Sequence, residues 1–303
     1  MFEKDIVTKK LFQNNHRFAD VFNRLLFHGE VIDPGQLQEM NTDQIAVLFD
    51  RLFAKEKYRD ILKAACVKHD SQSIYLYLGI ENQSDTDFTM PVRTMLYDAI
   101  NYQDQIQSLA ERNRKEKKLT PSRFLSGMTE NDRLIPVITL VICWNPDGYK
   151  GPKRIYDMMD PEAIREFGRF IPDYRCNLIS VAELSDADIR SMDDDLSLLM
   201  EIMKYSKKEE KMRELSKDER IKDISYEVAE SIKFLTDIPV DLSKKGKKGN
   251  VDMSEGFRLW AEAERKEGKT EGIDESKEKF IQYLIENGKT KEEAVSEIDK
   301  LFS

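Results

Sequence analysis

Two carboxylates and a carboxamide have the spacing to meet at one end of a β-hairpin. The segments Arg59 to Lys68 and Ser73 to Gln83 are rich in apolar residues, and a short polar segment separates them. This pattern is typical of two antiparallel strands. Asp60 lies near the start of the first segment, and Glu81 and Gln83 lie near the end of the second.

The register of this hairpin decides whether the three polar side chains share a face. A turn centred between Asp70 and Ser71 pairs Val67 with Ile74 and Ile61 with Ile80, and it places Asp60 opposite Glu81. Opposed residues have Cβ atoms roughly 5 Å apart, and strand alternation puts Gln83 on the same face as Glu81.

The spacing alone leaves two interpretations open. Opposed carboxylates repel unless a cation or a proton lies between them, and a hard divalent ion such as Mg²⁺ binds carboxylate and carbonyl oxygens. Asp60 and Glu81 are then a metal site. In the other interpretation, they are solvent-facing charges at the strand ends, held apart by strand twist.

The flanking elements predict a mixed α/β sheet. An amphipathic helix is expected over residues 10 to 28, and a further strand is expected over Gln44 to Phe53. A long helix from Pro91 toward Lys118 follows the hairpin, with proline in its first turn. Ile135 to Trp144 is a continuous apolar run typical of a central strand covered on both faces, and Asn177 to Leu184 predicts another strand.

The chain changes character after residue 185. Residues 185–242 are strongly charged and helical in pattern, and residues 243–249 are expected to form an exposed linker. We expect residues 1–242 to form one domain with this helical region. The tail, residues 250–303, predicts two short helical pieces divided at Gly268 to Gly272. It has little core of its own, so we expect it to pack against the main domain or to form a homo-oligomer.

Composition limits the classes of function. The 303 residues contain 48 Lys and Arg against 57 Asp and Glu, a formal charge of -9, which argues against a broadly basic nucleic-acid surface. No apolar run approaches the roughly 18 residues of a membrane span, and no secretory signal begins the sequence, so a cytoplasmic location is expected. Three widely separated cysteines favour buried free thiols over disulfides.

Several sequence blocks resemble a known family. The order of helix, three-strand meander, helix and strand is similar to that of the PD-(D/E)xK nuclease superfamily. More specifically, the chain resembles the recombination-promoting nuclease family, also called PD-(D/E)xK transposases, over roughly residues 8 to 240. The blocks that carry the resemblance are Arg59 to Ile61, Gly79 to Gln83, Met90 to Asp98, Phe18 to Asn23 and Pro136 to Leu140.

The resemblance implies a restriction-endonuclease-like αβββαβ core with a helical C-terminal extension, and a metal-dependent DNA endonuclease active in recombination, mobile-element or phage-defence biology. It implies that Asp60, Glu81 and the backbone carbonyl of Asn82 hold Mg²⁺, with Mn²⁺ as an alternative. Asp20 on the first helix is a candidate accessory carboxylate, with an exposed helix charge as the competing interpretation.

Gln83 departs from the superfamily motif, which has lysine at this position. A carboxamide can orient water but carries no charge to stabilise a phosphorane-like state. The family tolerates Gln here, so Gln83 stays a catalytic candidate. Arg93 and Tyr97, four residues apart on the following helix, share a face and are candidate phosphate contacts, with a solvated surface arginine as the competing interpretation of Arg93. A catalytically weakened nuclease fold that binds DNA or protein is the alternative function.

A cluster of basic residues lies at the end of the long helix. It is more often a solvated surface than a DNA contact, but it could supply part of a local binding track. Its members are Arg112, Arg114, Lys115, Lys117 and Lys118.

Overall fold

The strands of the chain form one mixed sheet. The computed structural model describes residues 2–40, 61–69, 72–120, 125–243 and 249–301, and within them the sheet has five strands in the order β1-β2-β3-β4-β5. The strands are β1 Gln38–Glu39, β2 Ile61–His69, β3 Gln72–Gln83, β4 Val137–Cys143 and β5 Asn177–Ser180.

The described residues also form ten α-helices. They are α1 Phe2–Gln13, α2 Asn15–Val21, α3 Met90–Lys115, α4 Pro161–Phe167, α5 Asp186–Arg190, α6 Asp194–Tyr205, α7 Glu209–Leu215, α8 Tyr226–Leu235, α9 Ser254–Glu286 and α10 Lys291–Leu301. The mixed α/β class and the helical C-terminal region are as predicted.

The hairpin register is as predicted. Strand β2 pairs antiparallel with β3, and Ile61 lies opposite Ile80. Strand β4 then pairs parallel with β3 through the crossover helix α3, and β5 pairs parallel with β4. The predicted strand Gln44 to Phe53 lies outside the described residues, as does Asp60. In the described part, β1 is the antiparallel neighbour of β2.

Helices cover the sheet on both faces. One face carries Leu78, Ile80 and Leu140, which lie in a single core with side chains of α1, α2, α6 and α8. The other face lies under α3, where Leu62 contacts Tyr97. Strand β4 is therefore buried on both sides, as its continuous apolar sequence predicts.

The predicted first helix, residues 10 to 28, is divided in the structure. Asn14 ends the run because its side chain accepts hydrogen bonds from the backbone N–H groups of His16 and Arg17, which caps α2. Helix α2 then continues into a π-helical turn, Phe22–Leu26. The apolar spacing predicts the buried face correctly but not the interruption.

The expected division of the tail at Gly268 to Gly272 is wrong. Helix α9 runs for 33 residues through both glycines, because a glycine in a helix costs only about 1 kcal/mol and does not by itself end it. Met253, Phe257 and Trp260, around the start of this helix, are buried in the main core. No helix in the described ranges is both long and apolar enough to cross a membrane.

The three cysteines are free thiols, as expected, but only Cys143 is fully buried, and Cys66 and Cys176 are half-buried. Burial raises the pKa of the Cys143 thiol, which keeps it protonated.

Candidate active site

Glu81 is a buried carboxylate near the carboxyl end of β3. Only 2% of its surface is exposed, and its partner on the parallel strand is the apolar Val141. A buried carboxylate requires a cation or strong hydrogen bonds to remain charged. The interpretation of Glu81 as a solvent-facing charge is therefore wrong.

Two side chains contact the same oxygen of this carboxylate. Gln83, two residues along the same face of β3, donates from Nε2 to Glu81 Oε1 across 3.4 Å. The guanidinium of Arg93, on the first turn of α3, donates from Nη2 to Glu81 Oε1. The structure thus brings together four of the predicted site residues, because Tyr97 lies beside Arg93 in this cluster with Glu81 and Gln83.

Arg93 is not a solvated surface arginine. Its side chain is 18% exposed, its Nη1 lies 2.5 Å from Asp87 Oδ2, and its Nη2 lies 3.4 Å from the hydroxyl of Tyr97. Burial alone would lower the pKa of this guanidinium, but Glu81, Tyr97 and Asp87 together raise the pKa of Arg93 above its ordinary value. The guanidinium is therefore a fixed positive charge beside Glu81.

Asp87, which sequence reasoning missed, holds the other side of Arg93. It lies in the loop between β3 and α3 and accepts hydrogen bonds from the backbone N–H and the hydroxyl of Thr89. Burial would raise the pKa of Asp87, but these bonds and the Arg93 guanidinium hold that pKa below its usual range. The sequence feature that could have indicated this contact is the position of Asp87 in a polar loop six residues before Arg93.

The side chain of Asn82 points away from Glu81. Its Oδ1 accepts a hydrogen bond of 3.0 Å from the indole Nε1 of Trp144, on the face covered by α1 and α2. At the two ends of the β3–β4 ladder, the backbone N–H of Tyr77 donates to the carbonyl of Pro136, and the N–H of Trp144 donates to the carbonyl of Gln83. The odd-numbered residues of β3 therefore bond toward the β4 side. The backbone carbonyl of Asn82 is therefore directed toward the β2 side, where its role as a metal ligand stays a prediction.

Asp98, at the end of the Met90 to Asp98 block, accepts buried hydrogen bonds that the sequence does not predict. Asp98 Oδ1 accepts a hydrogen bond of 2.6 Å from the hydroxyl of Thr139, and its Oδ2 accepts one of 2.7 Å from the hydroxyl of Tyr174. Burial is the larger cause of the raised pKa of Tyr174, and the charge of Asp98 is the smaller one, so this hydroxyl remains a donor. These contacts fix α3 against β4 and against the segment that leads into β5.

Asp20 has contacts of its own. It accepts a hydrogen bond of 2.8 Å from the backbone N–H of Asp193, and Arg24 lies 3.3 Å away. Burial raises the pKa of Asp20. Its side chain is largely buried, so it is not an exposed helix charge, and its accessory role stays a prediction.

The predicted basic cluster lies at the far end of α3. Arg112 lies 3.1 Å from Asp132, and Lys118 contacts Glu116. Arg114, Lys115 and Lys117 are exposed. The structure therefore leaves positive charge on this surface, and its contact with DNA stays a prediction.

The described residues supply part of the oxygen ligand set that a hard cation requires. Among the residues that the structure describes, no three His, Cys, Asp or Glu side chains form a metal-binding group. Glu81 supplies one buried carboxylate, and Asn82 supplies a carbonyl on the same part of β3. The second carboxylate of the prediction, Asp60, immediately precedes Ile61, the partner of Ile80, and lies outside the described residues.

The mixed sheet, its parallel crossover and the acidic strand end under α3 are consistent with an α/β nuclease-like fold. The family model described as "Putative transposase, YhgA-like" matches residues 3–223, and the chain belongs to this family. Its members are described as transposases of the recombination-promoting, PD-(D/E)xK type, which confirms the family resemblance in the sequence. Comparison with curated proteins and with solved structures gives no match.

Proposed function

We propose that this protein is a Mg²⁺-dependent DNA endonuclease that hydrolyses phosphodiester bonds. The observation that carries the proposal is the burial of Glu81 among Gln83, Arg93 and an apolar strand, in a chain of a transposase family. Membership of that family implies interaction with DNA. Glu81, Asp60 and the backbone carbonyl of Asn82 are the proposed metal ligands.

A bound Mg²⁺ would lower the pKa of a coordinated water and offset charge on the phosphate. The chain's own residues position this chemistry. Gln83 orients the Glu81 carboxylate, and the β3–β4 ladder fixes the direction of the Asn82 carbonyl. The carboxamide of Gln83, which lies on the Glu81 face, is suited to orient a water molecule but not to take its proton.

Cleavage of supercoiled plasmid DNA with Mg²⁺ tests the proposal. We expect Glu81→Gln and Asp60→Asn to lower the cleavage rate by at least about 100-fold, because even outer partners of metal ligands are worth 10- to 100-fold. Glu162→Gln is the matched control, since Glu162 is an exposed carboxylate paired with Arg165 on α4. Cleavage by both site variants at the wild-type rate would place the activity elsewhere.

The uncharged Gln83 favours a second candidate, a weakened nuclease fold that binds DNA or protein without turnover. It predicts salt-sensitive DNA retention with no cleavage in Mg²⁺ or Mn²⁺. It also predicts that Gln83→Lys greatly raises cleavage, whereas an unchanged rate in that variant contradicts weakening.

A further inference from the structure

We propose that Arg93 supplies the positive charge beside Glu81 that Gln83 does not carry, and that Asp87 and Tyr97 hold its guanidinium there. This inference rests on the proposed nuclease function and assigns the residue that stabilises the charge of the reacting phosphate. Phosphodiester hydrolysis develops negative charge on the phosphate oxygens, which preorganised cationic donors stabilise most effectively in a site with little water.

The position of the guanidinium carries the first step. Arg93 contacts the same Glu81 oxygen as Gln83, so its charge lies next to the carboxamide of Gln83. Gln83 donates a hydrogen bond but brings no charge. The cation therefore comes from the first turn of α3 rather than from β3.

Lys63 does not supply this charge. It lies opposite Leu78 on β2, which places it on the other face of the sheet from Glu81. Its Nζ donates to the carbonyl of Gln13 and to Oδ1 of Asn15, each at 2.7 Å.

Asp87 explains how Arg93 stays in place when Glu81 binds a metal. The two terminal nitrogens of the guanidinium have different carboxylate partners, Nη1 with Asp87 and Nη2 with Glu81. The contact with Asp87 and the neighbouring hydroxyl of Tyr97 do not require the Glu81 carboxylate. Nη2, whose partners are Glu81 Oε1 and the hydroxyl of Tyr97, is thus the group that would exchange Glu81 for a phosphate oxygen once the carboxylate binds a metal.

The test compares Arg93→Gln, Arg93→Lys and the double variant Arg93→Gln with Gln83→Lys. Plasmid cleavage with Mg²⁺, Mn²⁺ affinity by calorimetry and thermal melting are measured for each. The matched control is Arg154→Gln, because Arg154 also lies between two carboxylates, 2.9 Å from Asp157 and 3.5 Å from Asp173.

We expect Arg93→Gln to cleave about 100-fold more slowly or worse, the scale of losing one charge-stabilising donor, with Mn²⁺ affinity unchanged or higher. Arg93→Lys should retain part of the cleavage activity. The double variant, which has a lysine at position 83, should cleave at least about tenfold faster than Arg93→Gln alone. The control should cleave at the wild-type rate. Melting curves identify any variant that is unfolded. If Arg93→Gln does not fold, the comparison of Arg93→Lys with wild type still tests the inference.

Two results overturn the inference while leaving the proposed function intact. One is cleavage by folded Arg93→Gln at the wild-type rate. The other is a fall in Mn²⁺ affinity that matches the fall in cleavage, since the variant has then lost the metal site rather than a charge on the phosphate. Absence of cleavage by both wild type and Gln83→Lys overturns the proposed function itself.

Discussion

The indole Nε1 of Trp144 donates a hydrogen bond of 3.0 Å to the carboxamide oxygen of Asn82, on the opposite side of β3 from Glu81. Trp144 is 1% exposed and stacks on Phe12 of α1. One strand thus directs Glu81 toward α3 and Asn82 toward the helical core. The proposed metal contribution of Asn82 is therefore a backbone contribution, and its side chain contributes to stability.

We expect Asn82→Ala and Trp144→Phe each to destabilise the protein by about 1–3 kcal/mol, because each change removes one partner of a buried hydrogen bond. Urea unfolding measures this loss. Folded Asn82→Ala should bind Mn²⁺ with the wild-type affinity. Loss of Mn²⁺ binding in this variant would instead place the carboxamide among the ligands.

Replacing Lys63 by methionine should destabilise the fold. Lys63 has no exposed surface, and its Nζ donates to two acceptors on the α1–α2 segment. Methionine fills a similar volume but leaves both acceptors without this donor, a loss of about 2–4 kcal/mol. Lys10→Met, which removes a half-exposed ion pair with Glu230, should change stability by no more than about 0.5 kcal/mol. Equal melting temperatures of the two variants would contradict this prediction.

Asp132 should contribute a pH-dependent part of stability. Hydrogen bonds from the backbone N–H of Thr129 and from Asn113, together with nearby Arg112, lower the pKa of Asp132 from 3.8 to about 2. Because the folded pKa is lowered, the contribution is complete above about pH 4 and is lost as the pH falls through about 2.

Melting temperatures of wild type and Asp132→Asn between pH 5 and pH 2 test this titration. The variant should be less stable at pH 5, and the difference should narrow toward pH 2 as Asp132 becomes protonated. A difference that stays constant over this range would show that Asp132 does not titrate as expected.

The basic cluster at the end of α3 should determine how steeply salt weakens DNA binding. Each phosphate contact contributes about 0.9 to the slope of log affinity against log salt concentration. Replacing Lys115 and Lys117 by glutamine should therefore reduce the slope by up to about 1.8, measured by fluorescence anisotropy. The control is the replacement of Lys211 and Lys222 by glutamine, because these two lysines of the helical region pair with nearby glutamates. Equal slopes in both variants would exclude the cluster from the DNA track.

Local sequence pattern predicted the hairpin well. The apolar runs of β2 and β3 flank a short polar segment, so one turn position fixes every pair from Ile61 with Ile80 to Val67 with Ile74. The sequence also predicted β4 correctly, because a short segment that is apolar on both faces is typical of a strand at the centre of a sheet.

Contacts between distant parts of the chain were not predictable in the same way. Tyr174 lies 76 residues from Asp98, and no periodicity relates the two. The side chain of Asn14 interrupts a helix whose apolar spacing continues through it, because capping competes locally with the hydrophobic pattern. The ion pairs of Arg93 depend on how α3 leaves β3, which the spacing of Arg93 and Tyr97 does not reveal.

Helix α3 also sets a length scale. From Arg93 to Lys115 the helix rises by about 33 Å at 1.5 Å per residue. One helical turn of B-form DNA is about 34–36 Å. A duplex aligned with α3 would therefore present the same side of its backbone to both ends of the helix, about ten base pairs apart. The minimal footprint of the proposed nuclease would then be one turn of duplex on this side of the proposed cleavage position.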